Sequence, residues 1–342
     1  MKSLKVFIFN LLIFLILISL LELFFGYWFK KENFGFYMRK ERKINWKTTS
    51  NFKDQKFEFF YKRNYWGFRG EEFNPRDIKI IFQGGSTGNQ RYTPSELTIV
   101  GRLNTKFKSI DPNLKIYNAS TDGKSVKGYV NDFKFWFPKI PDMNPKFVIF
   151  YLGINEKYTD DRGYFDYKVS SSKFDQIKDY IKNNSFFVDK FITIKNKYFP
   201  TNTLSYDFDN KELYNKFKFV NYDKAKILHK KLDQKDLLLI KSFDSKLIKL
   251  NKIILNEKII PIFITQLKFD GLKDKKLFLI NNELKKFALE NNYYLIAIDE
   301  FLTFDIDDFY DPNHTTPKGS KKIADAIYPK LLKILKKKIE LN

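Results

Sequence analysis

The chain has 342 residues, 43% hydrophobic and 18% aromatic, which predicts a folded protein of one large domain or two small ones. Its formal net charge is +22, but the lysines behind that charge are spread along the chain, so no nucleic-acid partner is expected. The chain has no cysteine, which excludes disulfides and thiolate metal sites.

The N-terminal segment is long and apolar. Residues 6–29 are interrupted only by Asn10 and Glu22. As a helix this segment would span roughly 36 Å, enough to cross the hydrocarbon core of a bilayer. Tyr27 and Trp28 lie at one end, where an interfacial aromatic belt belongs. The apolar run is too long for a cleaved signal peptide, so we predict an uncleaved signal-anchor over residues 1–29.

The charges that follow this segment do not decide its orientation. The basic residues after it are Lys30, Lys31, Arg39, Lys40, Arg42 and Lys43. The positive-inside rule alone would keep them in the cytoplasm. However, a large trailing domain can be translocated regardless of its charge.

The next segment, residues 30–77, is charged and aromatic, and we predict a juxtamembrane lead-in to the domain. Within it, residues 64–70 predict a tight turn packed by aromatic side chains. The first core strand is predicted at 78–82. The helix after it, roughly 94–109, is expected to begin with a capping box whose N-cap is Thr93.

Four further apolar runs predict strands, at 114–118, 147–152, 259–265 and 293–298. Helical patterns alternate with them, including a closing helix that starts at Pro317 with Thr316 as its N-cap. Five strands alternating with helices predict a parallel, doubly wound α/β sheet.

One stretch departs from this alternation. Residues 157–235 are rich in Lys, Asn, Tyr and Phe, with weak helical patterns near 173–183 and 211–232. We predict that this stretch is an insertion that caps the binding edge of the sheet.

Three of the predicted strands end in loops that carry polar groups: Gly84-Gly85-Ser86, Asp122-Gly123 and Gly153-x-Asn155. The carboxyl ends of parallel strands meet at one edge, where open α/β sheets bind ligands. A fourth segment, Asp311-x-x-His314, could join them. Together they supply the hydroxyl, imidazole, carboxylate and oxyanion donors that serine hydrolysis needs.

The chain has only two histidines, His229 and His314. His229 falls in the predicted insertion, where we expect an exposed or partly buried helical side chain. His314 lies three residues after Asp311 and just before a capped helix. Taken singly, the segment around Ser86 could be an ordinary turn and His314 an ordinary loop residue.

Residues 84–88 also satisfy the Gly-x-Ser-x-Gly elbow of α/β-hydrolases. The chain order argues against that fold. Ser86 follows the first core strand, whereas Asp311 and His314 lie within one turn of each other.

The four segments resemble, in order, the blocks of the SGNH (GDSL-type) hydrolases. Residues 84–86 resemble the first block, with Gly85 where Asp is usual, and residues 118–123 the second. Residues 153–156 resemble the third, with Glu156 in place of Asp, and residues 311–314 match the last. The resemblance covers about 78–330. It implies a three-layer, flavodoxin-like α/β/α domain at 78–339 with a five-stranded parallel sheet, acting on esters.

The resemblance also implies roles for individual residues. Ser86 would be the nucleophile, His314 the general base and Asp311 the carboxylate that orients it. The oxyanion donors would be the backbone N–H groups of Ser86 and Gly123 and the side chain of Asn155. Neither a cofactor nor a metal is expected.

The turn at 67–70 also resembles membrane-anchored members of the family found in envelope and surface-polysaccharide contexts. We therefore expect an inner-membrane protein with an extracytoplasmic, periplasmic domain. Its partner would be an acylated glycan or lipid, from which it would remove an acyl group such as acetyl. Two alternatives stay open: an O-acyltransferase of surface polysaccharide with the same triad, and a non-catalytic envelope protein.

Overall fold

The structure is a computed structural model that describes residues 2–30, 37–38, 41–53, 55–157, 165–166, 172–198, 203–208, 215 and 217–338. The strands, in chain order, are β1 (Ile44–Phe52), β2 (Gln55–Arg63), β3 (Ile80–Gln83), β4 (Ile116–Asn118), β5 (Phe147–Tyr151), β6 (Thr203–Phe208), β7 (Ile260–Ile264) and β8 (Tyr294–Ile296). The α-helices are α1 (Lys2–Phe25), α2 (Gly85–Asn89), α3 (Ile99–Lys108), α4 (Val126–Asn131), α5 (Lys173–Asn184), α6 (Phe186–Tyr198), α7 (Tyr222–Leu228), α8 (Gln234–Asn256), α9 (Lys275–Glu290) and α10 (Pro317–Lys338).

Five strands form the central sheet in the order β4-β3-β5-β7-β8, and every pair is parallel. This is the order of a flavodoxin-like doubly wound sheet, whose ligands bind beside the switch point next to the first core strand. All residues of β3 and β5 are buried, as expected for strands covered on both faces. The predicted fold class is therefore confirmed.

Helices cover both faces of this sheet and produce two hydrophobic clusters. Apolar side chains of α3 and α10 pack on one face. Those of α4 and α8 pack on the other, together with residues from α9. The domain is thus a three-layer α/β/α sandwich. Its helices cover the faces of the sheet but not the loops at the carboxyl ends of the strands, where a site can form.

A second, smaller sheet was not predicted. β1 and β2 form an antiparallel hairpin within the segment predicted as a lead-in, and β6 pairs with β1 in parallel. The inward side chains of β1 alternate with outward ones, but several are Thr and Ser, so the segment lacks the apolar signature of a core strand. The predicted insertion at 157–235 contributes β6 to this sheet and also contains α5, α6 and α7.

Two predicted helix starts have different outcomes. The N-cap of α3 is Thr98, whose side chain accepts from Gly101 N at 3.0 Å, so the prediction of Thr93 is wrong. Residues 95–97 form a separate 3-10 turn because Pro94 is extended at ψ 144°. The predicted cap of α10 is confirmed: Thr316 Oγ1 accepts from Gly319 N at 3.3 Å.

Candidate active site

Ser86 lies where β3 gives way to α2. Gly84 and Gly85 make the turn, and Gly85 has φ +58°, in the left-handed region that favours glycine. Ser86 follows as the second residue of α2, and its side chain is half-buried. The sheet therefore presents the Ser86 hydroxyl at its carboxyl edge.

The loop before α10 brings His314 to this serine. His314 Nε2 lies 2.8 Å from Ser86 Oγ, and Nδ1 lies 2.7 Å from Asp311 Oδ2. The other carboxylate oxygen, Oδ1, accepts the backbone N–H groups of Asn313 and His314, each at 2.8 Å. Asp311 therefore uses one oxygen to shape the loop and the other to hold the imidazole.

These contacts shift the pKa of Asp311. Burial raises the pKa, but the hydrogen bond and charge of His314 and the two backbone donors outweigh burial, so the pKa lies below its ordinary value. The carboxylate is therefore ionised at neutral pH. It can accept from a protonated Nδ1, which leaves Nε2 as an acceptor for the hydroxyl of Ser86.

A second contact fixes the plane of the imidazole. The ring of Tyr310 is stacked on that of His314, with centroids 5.6 Å apart and an interplanar angle of 10°. Phe208 of β6 packs against Tyr310 in turn, at 4.2 Å between ring centroids. The small sheet thus supports the histidine through Tyr310.

The loop after β4 carries Gly123, which has φ +76°. A Cβ built on Gly123 would lie 2.2 Å from the ring of Phe165. Both observations explain why glycine occupies this position, because a side chain would be strained and would also collide with that ring.

Asn155 lies on the loop after β5, and its Nδ2 donates to Lys124 O at 2.9 Å. A Cβ built on Gly85 would lie 2.5 Å from that same Nδ2. The Asn155 amide is therefore packed directly against the backbone that precedes Ser86. Glycine suits position 85 here, since its φ is positive and any Cβ would displace the amide.

Glu156, the other departure from the family pattern, has a structural contact. Its Oε1 accepts from Val126 N at 2.7 Å, at the first turn of α4, and the residue is 2% exposed. It thereby ties the loop after β5 to the loop that carries Gly123. A longer side chain than Asp makes this reach.

Sequence reasoning missed two buried arginines, although it singled out the turn that contains one of them. Arg69 donates to the backbone carbonyls of Asn89, Gln90 and Thr93, at the end of α2 and in the loop after it. The backbone of Arg69 also pairs with that of Arg63 at the end of β2 and with that of Asn118 in β4. Arg69 therefore holds the segment that follows Ser86.

The second missed arginine, Arg63, lies at the end of β2 and is 1% exposed. It donates to Asn89 Oδ1 at 3.1 Å and to Ser120 O at 2.8 Å. Asn89 Nδ2 in turn donates to Asp122 Oδ1 at 2.7 Å. This network links the Ser86 loop to the Gly123 loop. It could not be predicted from a local sequence pattern, because its members are distant in the chain.

His229, the other histidine of the chain, lies apart from this group. His229 is buried rather than exposed or partly buried, and its Nε2 lies 2.9 Å from Leu272 O, so that expectation is wrong. Within the described ranges, no group of three or more His, Asp or Glu side chains could hold a metal ion.

No profile of a known protein family matches the chain, and no curated protein matches it. Solved structures do match. An acetyl xylan esterase, AlAXEase, is 14% identical with a TM-score of 0.41, over 74% of this chain and 100% of that one. A lipolytic G-D-S-L family protein from Veillonella parvula is 15% identical with a TM-score of 0.40, over 74% of this chain and 97% of that one.

The structure of TesA matches at 10% identity with a TM-score of 0.41, over 74% of this chain and 97% of that one. At such TM-scores the likeness carries no functional conclusion. The case for an activity therefore depends on the geometry of Ser86, His314 and Asp311 in this chain.

Proposed function

We propose that this protein is a membrane-anchored serine esterase that cleaves an acyl ester through an acyl-enzyme on Ser86. The observation that carries the proposal is the hydrogen-bonded chain from Ser86 Oγ to His314 Nε2, at 2.8 Å, and from His314 Nδ1 to Asp311, at 2.7 Å. A hydroxyl becomes a nucleophile in this setting because the adjacent imidazole accepts its proton.

In the proposed reaction, Ser86 Oγ attacks the carbonyl carbon of the ester while His314 takes the hydroxyl proton. The bond to the alcohol oxygen then breaks, and His314 returns the proton to the leaving alcohol. Water attacks the acyl-enzyme with His314 again as base, which releases the acid and restores Ser86. Asp311 stabilises the imidazolium that forms in both halves and stays ionised throughout.

The proposed oxyanion donors are the N–H groups of Ser86 and Gly123 and the amide of Asn155. Support comes from the packing of Asn155 against Gly85 and from the glycine-only backbone of Gly123. Removing one such donor typically costs about 10²–10³ in kcat.

The proposed substrate is an acyl ester, such as an O-acetyl group, on an envelope glycan or lipid. Aromatic side chains support a sugar, because pyranose C–H groups pack on aromatic faces. Tyr92 lies near the site with its ring centroid 3.9 Å from that of Tyr206 in β6. Both residues are partly exposed, and Tyr92 also packs against Tyr310, which supports the imidazole.

The aromatic wall, by which we mean Tyr92, Tyr206 and Phe208 beside Tyr310, also favours a second candidate, transfer of the acyl group to a sugar hydroxyl. The acyl-enzyme is common to both reactions, and only the acceptor differs. The β2-β1-β6 sheet adds a surface beside His314 that lies outside the five-stranded domain, where an acceptor could be held next to the general base.

We further propose that α1 is retained as the anchor and that the catalytic domain is extracytoplasmic. Residues 3–25 are long and apolar enough to span a bilayer, and none of the most apolar 18-residue window is buried. Glu22 near the end of α1 accepts from Phe186 N at 2.9 Å and Phe187 N at 3.3 Å, at the start of α6. Cleavage after α1 would remove this cap, which supports retention.

The test of hydrolysis uses the full chain in detergent, with p-nitrophenyl acetate and a fluorophosphonate probe. We expect labelling of Ser86 and a loss of turnover on the order of 10⁴-fold or more for Ser86→Ala. The control is Ser95→Ala, an exposed serine on the loop before α3, which should leave turnover unchanged. Equal turnover by Ser86→Ala, without labelling of the wild type, would refute the proposal and favour the non-catalytic hypothesis.

Transfer is distinguished by adding soluble oligosaccharide acceptors and analysing them by mass spectrometry. Acylated acceptor that depends on Ser86 would establish transfer. Free acid alone, at acceptor concentrations far above those of the enzyme, would leave hydrolysis as the activity.

A further inference from the structure

Helix α6 exposes an apolar stripe to its surroundings. Phe187, Phe191, Ile194 and Tyr198 are 39%, 67%, 56% and 63% exposed. Their spacing of four, three and four residues places them on one face of the helix. Large apolar side chains exposed in a continuous stripe mark a surface that binds something apolar.

Helix α5 has a matching stripe. Phe174, Ile177 and Ile181 are 75%, 60% and 47% exposed, at a spacing of three and four residues. One residue, Ser185, separates α5 from α6, so the two helices form a hairpin. We call this hairpin, residues 173–198, the helical hairpin.

The polar side of α6 faces the protein. Asp189, two positions after Phe187 and on the opposite side of the helix, forms an ion pair with Lys43 just before β1. This contact fixes the rotation of α6 about its axis. The apolar stripe is therefore directed away from the lead-in.

The helical hairpin is joined to the end of α1. Besides the two N–H groups at the start of α6, Glu22 accepts from Ser185 Oγ, and Tyr27 N donates to Asn184 O at 2.8 Å. Phe25 and Phe186 pack with ring centroids 5.4 Å apart. The exposed stripes thus begin where the proposed membrane span ends.

A cavity of about 400 Å³ lies between α1 and the helical hairpin. The cavity is open on one side, and its lining is mostly apolar: Ile18 and Leu23 from α1, Trp28 and Phe29 after it and Tyr180 from α5, with Ser19 and Glu22 as the polar members. Ile18 and Leu23 belong to the apolar helix itself, so a lipid acyl chain is the material that can fill a cavity at this depth.

We propose that the helical hairpin lies in the interfacial layer of the bilayer that α1 spans, with the stripes of α5 and α6 buried among lipid headgroups and upper acyl chains. This inference rests on the proposed anchoring by α1. Helices of this kind carry aromatic and aliphatic residues on one face and lysines on the others. The helical hairpin has Lys173, Lys178, Lys182, Lys190, Lys195 and Lys197 against three aspartates.

The consequence concerns the catalytic site. Only residues 199–202 separate α6 from β6 in the chain, and β6 supplies Phe208, which supports Tyr310 and hence His314. The helical hairpin, which would contact the membrane, and β6, which lies beside the site, therefore follow each other directly in the chain. An ester presented close to the membrane surface is the substrate that this arrangement favours.

The test exploits the absence of cysteine. Phe191→Cys and Ile194→Cys report the stripe, and Thr193→Cys is the matched control, because Thr193 is exposed on the opposite side of α6. Each full-length variant is labelled with an environment-sensitive fluorophore and reconstituted in vesicles with lipids that carry a nitroxide near the headgroup. We expect several-fold stronger quenching by lipid at 191 and 194 than at 193, and stronger quenching by aqueous iodide at 193.

Equal quenching by iodide at all three positions would overturn the inference. Energy transfer between copies labelled at 191, without quenching by lipid, would also overturn it and would make the stripe a contact between copies. A label at Leu12→Cys, tested with lipids that carry the nitroxide deep in the acyl chain, separates the two proposals: quenching there with an aqueous 191 leaves the anchor and removes only the helical hairpin from the membrane. Loss of α1 from the intact mass of the purified protein would remove both.

Discussion

Gly85, directly before the proposed nucleophile, combines two constraints. Its φ of +58° favours glycine, and a Cβ would lie 2.5 Å from Asn155 Nδ2. Backbone strain and the position of the Asn155 amide, a proposed oxyanion donor, are thus coupled at one residue. The two effects can be separated, because Gly70 has φ +112° with no atom within 4 Å of its built Cβ.

We expect Gly85→Ala to cost about 1–2 kcal/mol of stability from backbone strain and to lower kcat about 10²-fold by displacing the Asn155 amide. Gly70→Ala should lose at least as much stability, because φ +112° lies outside the left-handed region that alanine can adopt, but with kcat preserved. Denaturant titrations and ester turnover measure the two effects. A Gly85→Ala enzyme with wild-type kcat would contradict the role of Asn155.

Asp311 gives a pH dependence with a defined sign. Its pKa is lowered in the folded protein, so its stabilising contribution is complete above the ordinary pKa of about 3.9 and disappears as pH falls through the lowered value. Asp311→Asn removes this titration. The free energy of unfolding of the variant should therefore fall less steeply with pH in the acid range than that of the wild type.

Urea titrations at stepped pH measure this difference, and parallel pH profiles for the two proteins would contradict it. The same variant should lose about 10³–10⁴ in kcat at neutral pH, since an amide at position 311 no longer holds the tautomer of His314.

At the scale of elements, the β1–β2 hairpin and the turn after it hold the site without contacting a substrate. Arg69 reaches three backbone carbonyls around the end of α2, and Arg63 reaches the loop after β4. A planar guanidinium can serve several acceptors at once, whereas an ammonium serves fewer in a fixed geometry. The lead-in is therefore a structural part of the α/β domain.

We expect Arg69→Lys to cost about 3 kcal/mol of stability, because buried carbonyls lose charge-assisted donors. It should also lower kcat, since the segment after Ser86 is released. Arg76→Lys is the control: Arg76 is an exposed arginine whose bonds to Asp142 are 3.0 and 3.1 Å, and exposed pairs contribute little. Equal effects of the two substitutions would count against a positioning role for Arg69.

At the scale of the whole molecule, α1, the helical hairpin and the small sheet form a continuous path from the proposed membrane span to the wall of the site. Glu22 joins the first two, and β6 follows the second in the chain. This arrangement agrees with the proposed esterase acting on esters of envelope glycans or lipids close to the membrane surface.

The proposed orientation predicts that a reporter enzyme active only outside the cytoplasm, fused after Asn342, is active in cells. Deletion of residues 2–25 should abolish that activity because the fusion stays in the cytoplasm. An inactive reporter would contradict the orientation, provided that the same fusion to an enzyme active only in the cytoplasm is active. That result would place the domain in the cytoplasm, as the basic residues after α1 suggest.

The sequence by itself determined the α/β class and the five core strands, and it singled out three loops after strands and the later segment Asp311-x-x-His314. Continuous apolar runs such as 147–151 and local motifs such as Asp311-x-x-His314 are properties of neighbouring residues, so they can be detected without a fold. The cap of α3 was misplaced because Thr93 and Thr98 are both plausible N-caps. The extended backbone of Pro94 prevents a helix from starting at Thr93, and the sequence does not show that conformation.

Only the tertiary structure decided which distant residues meet. Ser86 and His314 are 228 positions apart, and Arg63 at the end of β2 binds Asn89 at the end of α2 and Ser120 in the loop after β4. The small sheet escaped prediction because two inward positions of β1 are Thr48 and Ser50, and because β6 pairs with β1 from more than 150 positions away. Long-range pairing and the orientation of an amphipathic face depend on the whole chain, and a local pattern does not contain them.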